Sequence, residues 1–236
     1  MESIKKLSYQ SSLFFHFVSK KQTVYIISLC VIMLIFSILA ITFGSYGLSI
    51  IDYLLGKTSQ IQNTVLTEIR LPRVILSGLA GASLGISGAA LQGLFRNPLA
   101  DPGLIGVSAG AALGATLMIV LGGDLFSQNS LGIFFIPLAA VAGSSLVIFM
   151  LYFMTKGFGY EGVTYMLLVG IAINAIAGVG IGILTYISSD AELRSLTFWT
   201  MGSFGGVTWP LLLPVILIII FSIMVIWLVF LFFHFL

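Results

Sequence analysis

Residues 74–94 read VILSGLAGASLGISGAALQGL, a run without one charged side chain. At about 1.5 Å of rise per residue, a helix over this run covers the roughly 30 Å of a bilayer's hydrocarbon core. Its composition exceeds what a purely lipid-facing helix needs. Gly81 and Gly85 stand four apart, and Ala82, Ser83, Ser87, Ala89 and Ala90 extend the small surface around them. Small residues at that spacing let helix backbones approach closely. The pattern continues along the chain, at Gly106, Gly110 and Gly114 and again at Gly178 and Gly182. Any one of these glycines is ordinary packing. Together they predict that the second, third and fifth hydrophobic helices lie buried in a compact bundle.

The whole chain agrees with a membrane solvent. Of its 236 residues, 59% are hydrophobic and 8% charged, and the mean hydropathy is +1.16. A soluble domain carries about 25% charged residues, so a surface this apolar needs lipid around it. Six spans are expected, at about 23–43, 74–94, 104–121, 133–154, 163–187 and 211–236. The fold class is therefore an all-α, polytopic transmembrane bundle, with residues 1–22 as a polar lead and 23–236 as the membrane domain. The first span is too long for a signal-peptide core, and no small-residue cleavage site follows it. The first and sixth spans, heavy in Ile, Leu, Phe and Val, are expected to face lipid. No internal repeat is visible.

Charge sets an orientation. With the N-terminus in the cytoplasm, Lys5, Lys6, Lys20, Lys21, Arg96 and Lys156 lie inside, and Lys57, Arg70, Arg73 and Arg194 lie outside. The net charge of +2 is too small to argue for nucleic acid. The single cysteine, Cys30, excludes a disulfide within the chain. His16 and His234 pair with no nearby carboxylate, so no metal site and no catalytic constellation are expected, and there is no phosphate-binding P-loop. If transport here uses ATP, another chain binds it.

Three segments are not lipid-compatible. Residues 96–103, RNPLADPG, break two apolar spans with Pro98 and Pro102, which forbids a continuous helix. Asn97 and Leu99 sit there, where two central helices meet the cytoplasmic face. Residues 70–73, RLPR, place two guanidinium groups around Pro72, expected as a stiffened bend on the outer side. Arginine suits bidentate pairing with carboxylates, and lipid-phosphate anchoring is the alternative. Residues 190–209 are polar and glycine-rich, expected as an outer loop or a re-entrant segment, with Trp199 and Trp209 in the interfacial belt.

Residues 70–114, RLPRVILSGLAGASLGISGAALQGLFRNPLADPGLIGVSAGAALG, closely resemble the core of the FecCD-type permease subunits of bacterial type II ATP-binding-cassette importers for iron chelates, haem and cobalamin. Looser similarity covers MLLVGIAIN at 166–174 and FWTMGSFGGVTW at 198–209. The resemblance implies a multi-pass inner-membrane protein that pairs with a second permease copy. It also implies two cytoplasmic ATPase subunits, which bind the ATP, and an extracytoplasmic substrate-binding protein. It assigns Arg70 and Arg73 to binding-protein docking and Asn97 and Leu99 to the cytoplasmic gate, with Val163 and Thr164 at a second constriction.

Members of the family are ten-helix chains, so six spans imply a C-terminally truncated form. Such a form lacks the cytoplasmic region that docks the ATPase and is expected not to couple ATP hydrolysis to import. The implied cargo is an iron chelate, siderophore or haem, with cobalamin next. A secondary transporter is a competing function, but it needs buried ionisable residues that the spans almost wholly lack. A non-transporting membrane remnant is the other.

Overall fold

The computed structural model describes residues 20–44, 47, 52–53, 55–98, 101–123, 132–158 and 162–235, with side chains to 229. Among them the chain is helical and contains no strand. Among the described residues, seven helices of more than ten residues follow in order. They are α1 (Lys20–Thr42), α2 (Gln60–Phe95), α3 (Val107–Leu121), α4 (Phe135–Thr155), α5 (Gly162–Ile187), α6 (Asp190–Met201) and α7 (Trp209–Phe235). Short 3-10 turns at Pro102–Ile105 and Gly132–Phe134 lead into α3 and α4. Helices α1, α2, α4, α5 and α7 are long and apolar enough to cross a bilayer. This is a polytopic α-helical membrane fold.

The described residues form two compact units. The first contains those up to Leu76 together with Gly206–Trp209. In it, α1 is apolar all round and buries no residue, as expected of a helix dissolved in lipid. Helix α2 begins at Gln60, well before the expected start near residue 74. Ser59 accepts from the Gln62 amide while the Gln62 side chain accepts from the Ser59 amide, a reciprocal cap that opens the helix early. Pro72 does not interrupt the helix. Residues Val65–Arg70 adopt π-helical geometry and continue without a break into the α-helix that starts at Leu71. Proline clashes with the carbonyl four residues back in an α-helix, and the wider π turn before Pro72 accommodates it without breaking the rod.

The second unit contains Ser77–Gly205 and Pro210–Leu236. Its centre is Ile105, Val147 and Leu151, packed against Leu91, Phe95, Val107, Val169 and Ile173. In lipid this core is held by close contact rather than by removal from water. Helix α3 packs on α4 and α5 and also meets α6. It has 15 residues, about 22 Å of rise, and is shorter than the expected span from 104. Leu104 and Ile105 lie instead in the 3-10 turn, and Gly106, at φ 85°, ends that turn and starts the helix. Only a residue without a β-carbon takes that left-handed conformation cheaply.

The glycine spacing has two outcomes. A β-carbon on Gly143 of α4 would collide with the Gly110 carbonyl and stand 3.3 Å from the Gly114 Cα. One on Gly170 of α5 would stand 2.8 Å from the Ile105 Cα. Backbone therefore packs on backbone at Gly106, Gly110 and Gly114. At Gly81, Gly85, Gly178 and Gly182 a β-carbon would meet nothing within 4 Å. The small surface of α2 is thus open rather than buried, because a small-residue face closes only where a partner backbone reaches it.

The segment after α5, expected as an outer loop, is not a plain loop. Ser189 accepts from the Glu192 amide and the Glu192 carboxylate accepts from the Ser189 amide, and this capping box opens the 12-residue α6. Asp190 and Glu192 in its first turn also suit the positive end of the helix dipole. Gly202 at φ 71° ends it.

Candidate functional site

The candidate residues lie in both units. The first place is the π-helical stretch Val65–Arg70. Arg70 is only 8% exposed. Its Nη1 donates to the carbonyls of Ile41 at 2.7 Å and Thr42 at 2.8 Å. A helix ends with carbonyls that lack intrahelical donors and carry partial negative charge, so the guanidinium caps the C-terminus of α1. Gly44 leaves the room for it, since a β-carbon there would stand 2.8 Å from the Arg70 Cζ. Arg73, three residues on, is exposed. The arginines expected as a matched pair are thus differently employed, Arg70 within the chain and Arg73 at its surface.

The same stretch holds a residue the sequence reading left in the interfacial belt. Half-buried Trp209 donates its indole N–H to the Thr67 carbonyl at 3.0 Å. Pro72 was the available signal: a proline inside a helix leaves a carbonyl without its amide, and something else must reach it.

The second place is the turn from α2 to α3. Arg96 sits at φ 48°, the Asn97 amide donates to the Gln92 carbonyl at 3.2 Å, and the Arg96 amide donates to the Gly93 carbonyl at 3.2 Å. This is a Schellman ending with arginine in the position glycine normally takes. The Gln92 side chain donates to the Pro98 carbonyl at 3.0 Å, folding the strap back on the helix end. Asn97 is exposed beside it. Leu99 lies outside the described residues. Beyond it, Asp101 Oδ1 accepts from the Gly103 amide at 2.8 Å and caps the 3-10 turn.

Asn174, in the middle of α5, donates from Nδ2 to the Gly103 carbonyl at 3.0 Å. That bond ties the turn to α5 and was not anticipated, although Asn174 is a lone amide inside an apolar span. Val163, half-buried, and Thr164, exposed, lie in the first turn of α5. Among the described residues no three His, Cys, Asp or Glu side chains gather to hold a metal ion.

What these elements resemble is specific. The hemin transport system permease protein HmuU of Yersinia pestis is 40% identical over 185 residues, covering 78% of this chain and 54% of that protein. The vitamin B12 import system permease protein BtuC of Serratia proteamaculans is 39% identical over 156 residues, 64% of this chain and 45% of that one. A structure described as an inward-facing conformation of a metal-chelate type ABC transporter superposes with a TM-score of 0.64 at 29% identity, over 79% of this chain and 56% of that one. The chain spans about half the length of these relatives. Residues 29–235 match the model of the FecCD transport family. With the α2–turn–α3 unit inside that match, the chain belongs to the FecCD transport family.

Proposed function

We propose that this chain is the membrane-spanning permease of an ATP-driven importer, and that its cargo is haem or another iron chelate. The observation that carries this reading is the family match over residues 29–235. It is supported by identity to a hemin permease across 78% of the chain. In this reading the protein sits in the bacterial cytoplasmic membrane with its N-terminus inside. A second permease copy completes the pathway, and two cytoplasmic ATPase subunits bind and hydrolyse ATP. A substrate-binding protein delivers cargo from outside.

The residue roles belong to the same reading. Arg73 offers the exposed guanidinium for carboxylates of the binding protein, and Arg70 holds the helix that presents it. Asn97 and Leu99 belong to the cytoplasmic gate, with Val163 and Thr164 at a second constriction. Gln92 holds the Pro98 carbonyl and Asn174 holds the Gly103 carbonyl, so Asn97 lies beside a braced end of the α2–α3 connection. Such bracing lowers the ordering cost of a gate that must close repeatedly.

Cobalamin is the second reading, favoured by the similarity to vitamin B12 permeases. Growth separates the two. A haem-auxotrophic, iron-starved strain lacking its own permeases should grow on haem when the gene and its transport partners are supplied. Rescue of a cobalamin auxotroph and not of the haem auxotroph transfers the assignment to cobalamin. Rescue of neither, with the protein present in the membrane, contradicts import of both.

A further inference from the structure

We infer that Trp209 is a positioning residue for the Arg73 docking surface, its indole N–H standing in for the backbone amide that Pro72 lacks. The inference rests on the docking role proposed for Arg73, and its structural half stands apart from that role.

The Thr67 carbonyl has lost both of its helical donors. Its α-helical donor is the Leu71 amide, four residues on, but that amide is engaged with the Leu66 carbonyl in the π register. Its π-helical donor is residue 72, and Pro72 has no N–H. A carbonyl left without a donor in a low-dielectric setting is strongly disfavoured. The indole of Trp209, 142 residues away in sequence, fills the vacancy at 3.0 Å. Within the same stretch, Arg70 secures the end of α1 through Ile41 and Thr42. Val65–Arg70 therefore has side-chain bonds at Thr67 and Arg70 in addition to its own π-helical ladder. Arg73 emerges one turn further along the same rod, so its direction depends on this register.

An interfacial tryptophan is often only an amphipathic anchor. The two roles differ in what they require. An anchor needs the ring; the clasp needs the N–H, and only because residue 72 is proline. Replacing Pro72 by alanine supplies an amide. If the helix keeps its π register, that amide reaches Thr67 directly. If the helix relaxes to α geometry, the Leu71 amide returns to Thr67. Either way the indole donor becomes redundant.

The test is a double-mutant cycle on the full protein in nanodiscs, read by hydrogen exchange over residues 66–74 and by binding-protein affinity. Trp209→Phe should speed exchange there about fivefold, the size of one net hydrogen bond, and weaken docking. In a Pro72→Ala background, or Pro72→Ser should alanine not accumulate, Trp209→Phe should change neither reading. Equal acceleration in both backgrounds, or none in either, overturns the clasp. An Arg73→Glu variant that docks normally, with the exchange cycle still as expected, overturns the docking reading and leaves the clasp standing.

Discussion

The guanidinium of Arg70 reaches the carbonyl of Ile41, 29 residues earlier in the chain, at 2.7 Å. That bond, with its neighbour to Thr42 at 2.8 Å, gives a buried charge its partners and gives α1 its C-terminal cap. Removing the side chain takes a donor from both carbonyls. Arg70→Ala should cost about 2–4 kcal/mol, since losing a charged, buried donor exceeds losing a neutral one. Arg70→Lys should recover part of it, because one ammonium can still reach a carbonyl. Arg73→Ala, at the surface, should stay within about 0.5 kcal/mol. Thermal unfolding in detergent orders the three variants, and an Arg73→Ala loss equal to that of Arg70→Ala would contradict the division of labour.

Gly143 is where α3 and α4 touch backbone to backbone. Gly143→Leu should cost about 3 kcal/mol or prevent assembly, because the clash is with the Gly110 carbonyl and not with a flexible side chain. Gly81→Ala should be neutral or slightly stabilising, since its β-carbon enters open space and alanine favours helix by up to about 1 kcal/mol. Melting temperatures of the two variants check this directly.

Arg96 adopts φ 48° at the end of α2, a conformation unfavourable for any residue with a β-carbon. Arg96→Gly should therefore raise stability by roughly 0.5 kcal/mol, the relief of strain being offset in part by glycine's freedom in the unfolded chain. A clear loss of stability would show that the arginine side chain does more there than the backbone requires.

The Asn174 amide and the Gly103 carbonyl are 3.0 Å apart. Asn174→Asp keeps the shape but sets a carboxylate against a carbonyl oxygen, so it should be worse than Asn174→Ala, which loses about 1 kcal/mol. Hydrogen exchange in residues 101–106 should rise in the same order. Equal exchange in the wild type and both variants would remove Asn174 as the brace of the turn.

Much of this arrangement is legible in the sequence, and the rest is hidden for identifiable reasons. The repeat of Gly106, Gly110 and Gly114 announces a close-packed helix because only small side chains permit that spacing. Gly143, the partner, is a single glycine beside two serines, and nothing local says which helix it meets. The Ser189–Glu192 spacing of α6 is a capping signature that a glycine-rich stretch downstream disguises as loop. The π register could not be read from Val65–Arg70, because it depends on a proline just beyond it and a tryptophan 142 residues from Thr67. Arg70 and Arg73 look alike in sequence, and only the position of the α1 terminus separates the buried one from the exposed one.

The central claim is that this protein passes an iron chelate through the membrane under the power of partner ATPases. Its most direct test is uptake of radiolabelled iron, supplied as haem on the binding protein, into vesicles holding the permease in its cellular form with its ATPase subunits and ATP. The account predicts lumenal iron that rises with time, requires both ATP and the binding protein, and falls sharply with Arg73→Glu. Uptake that persists without ATP, or ATP-driven vesicles that accumulate no iron, would contradict it.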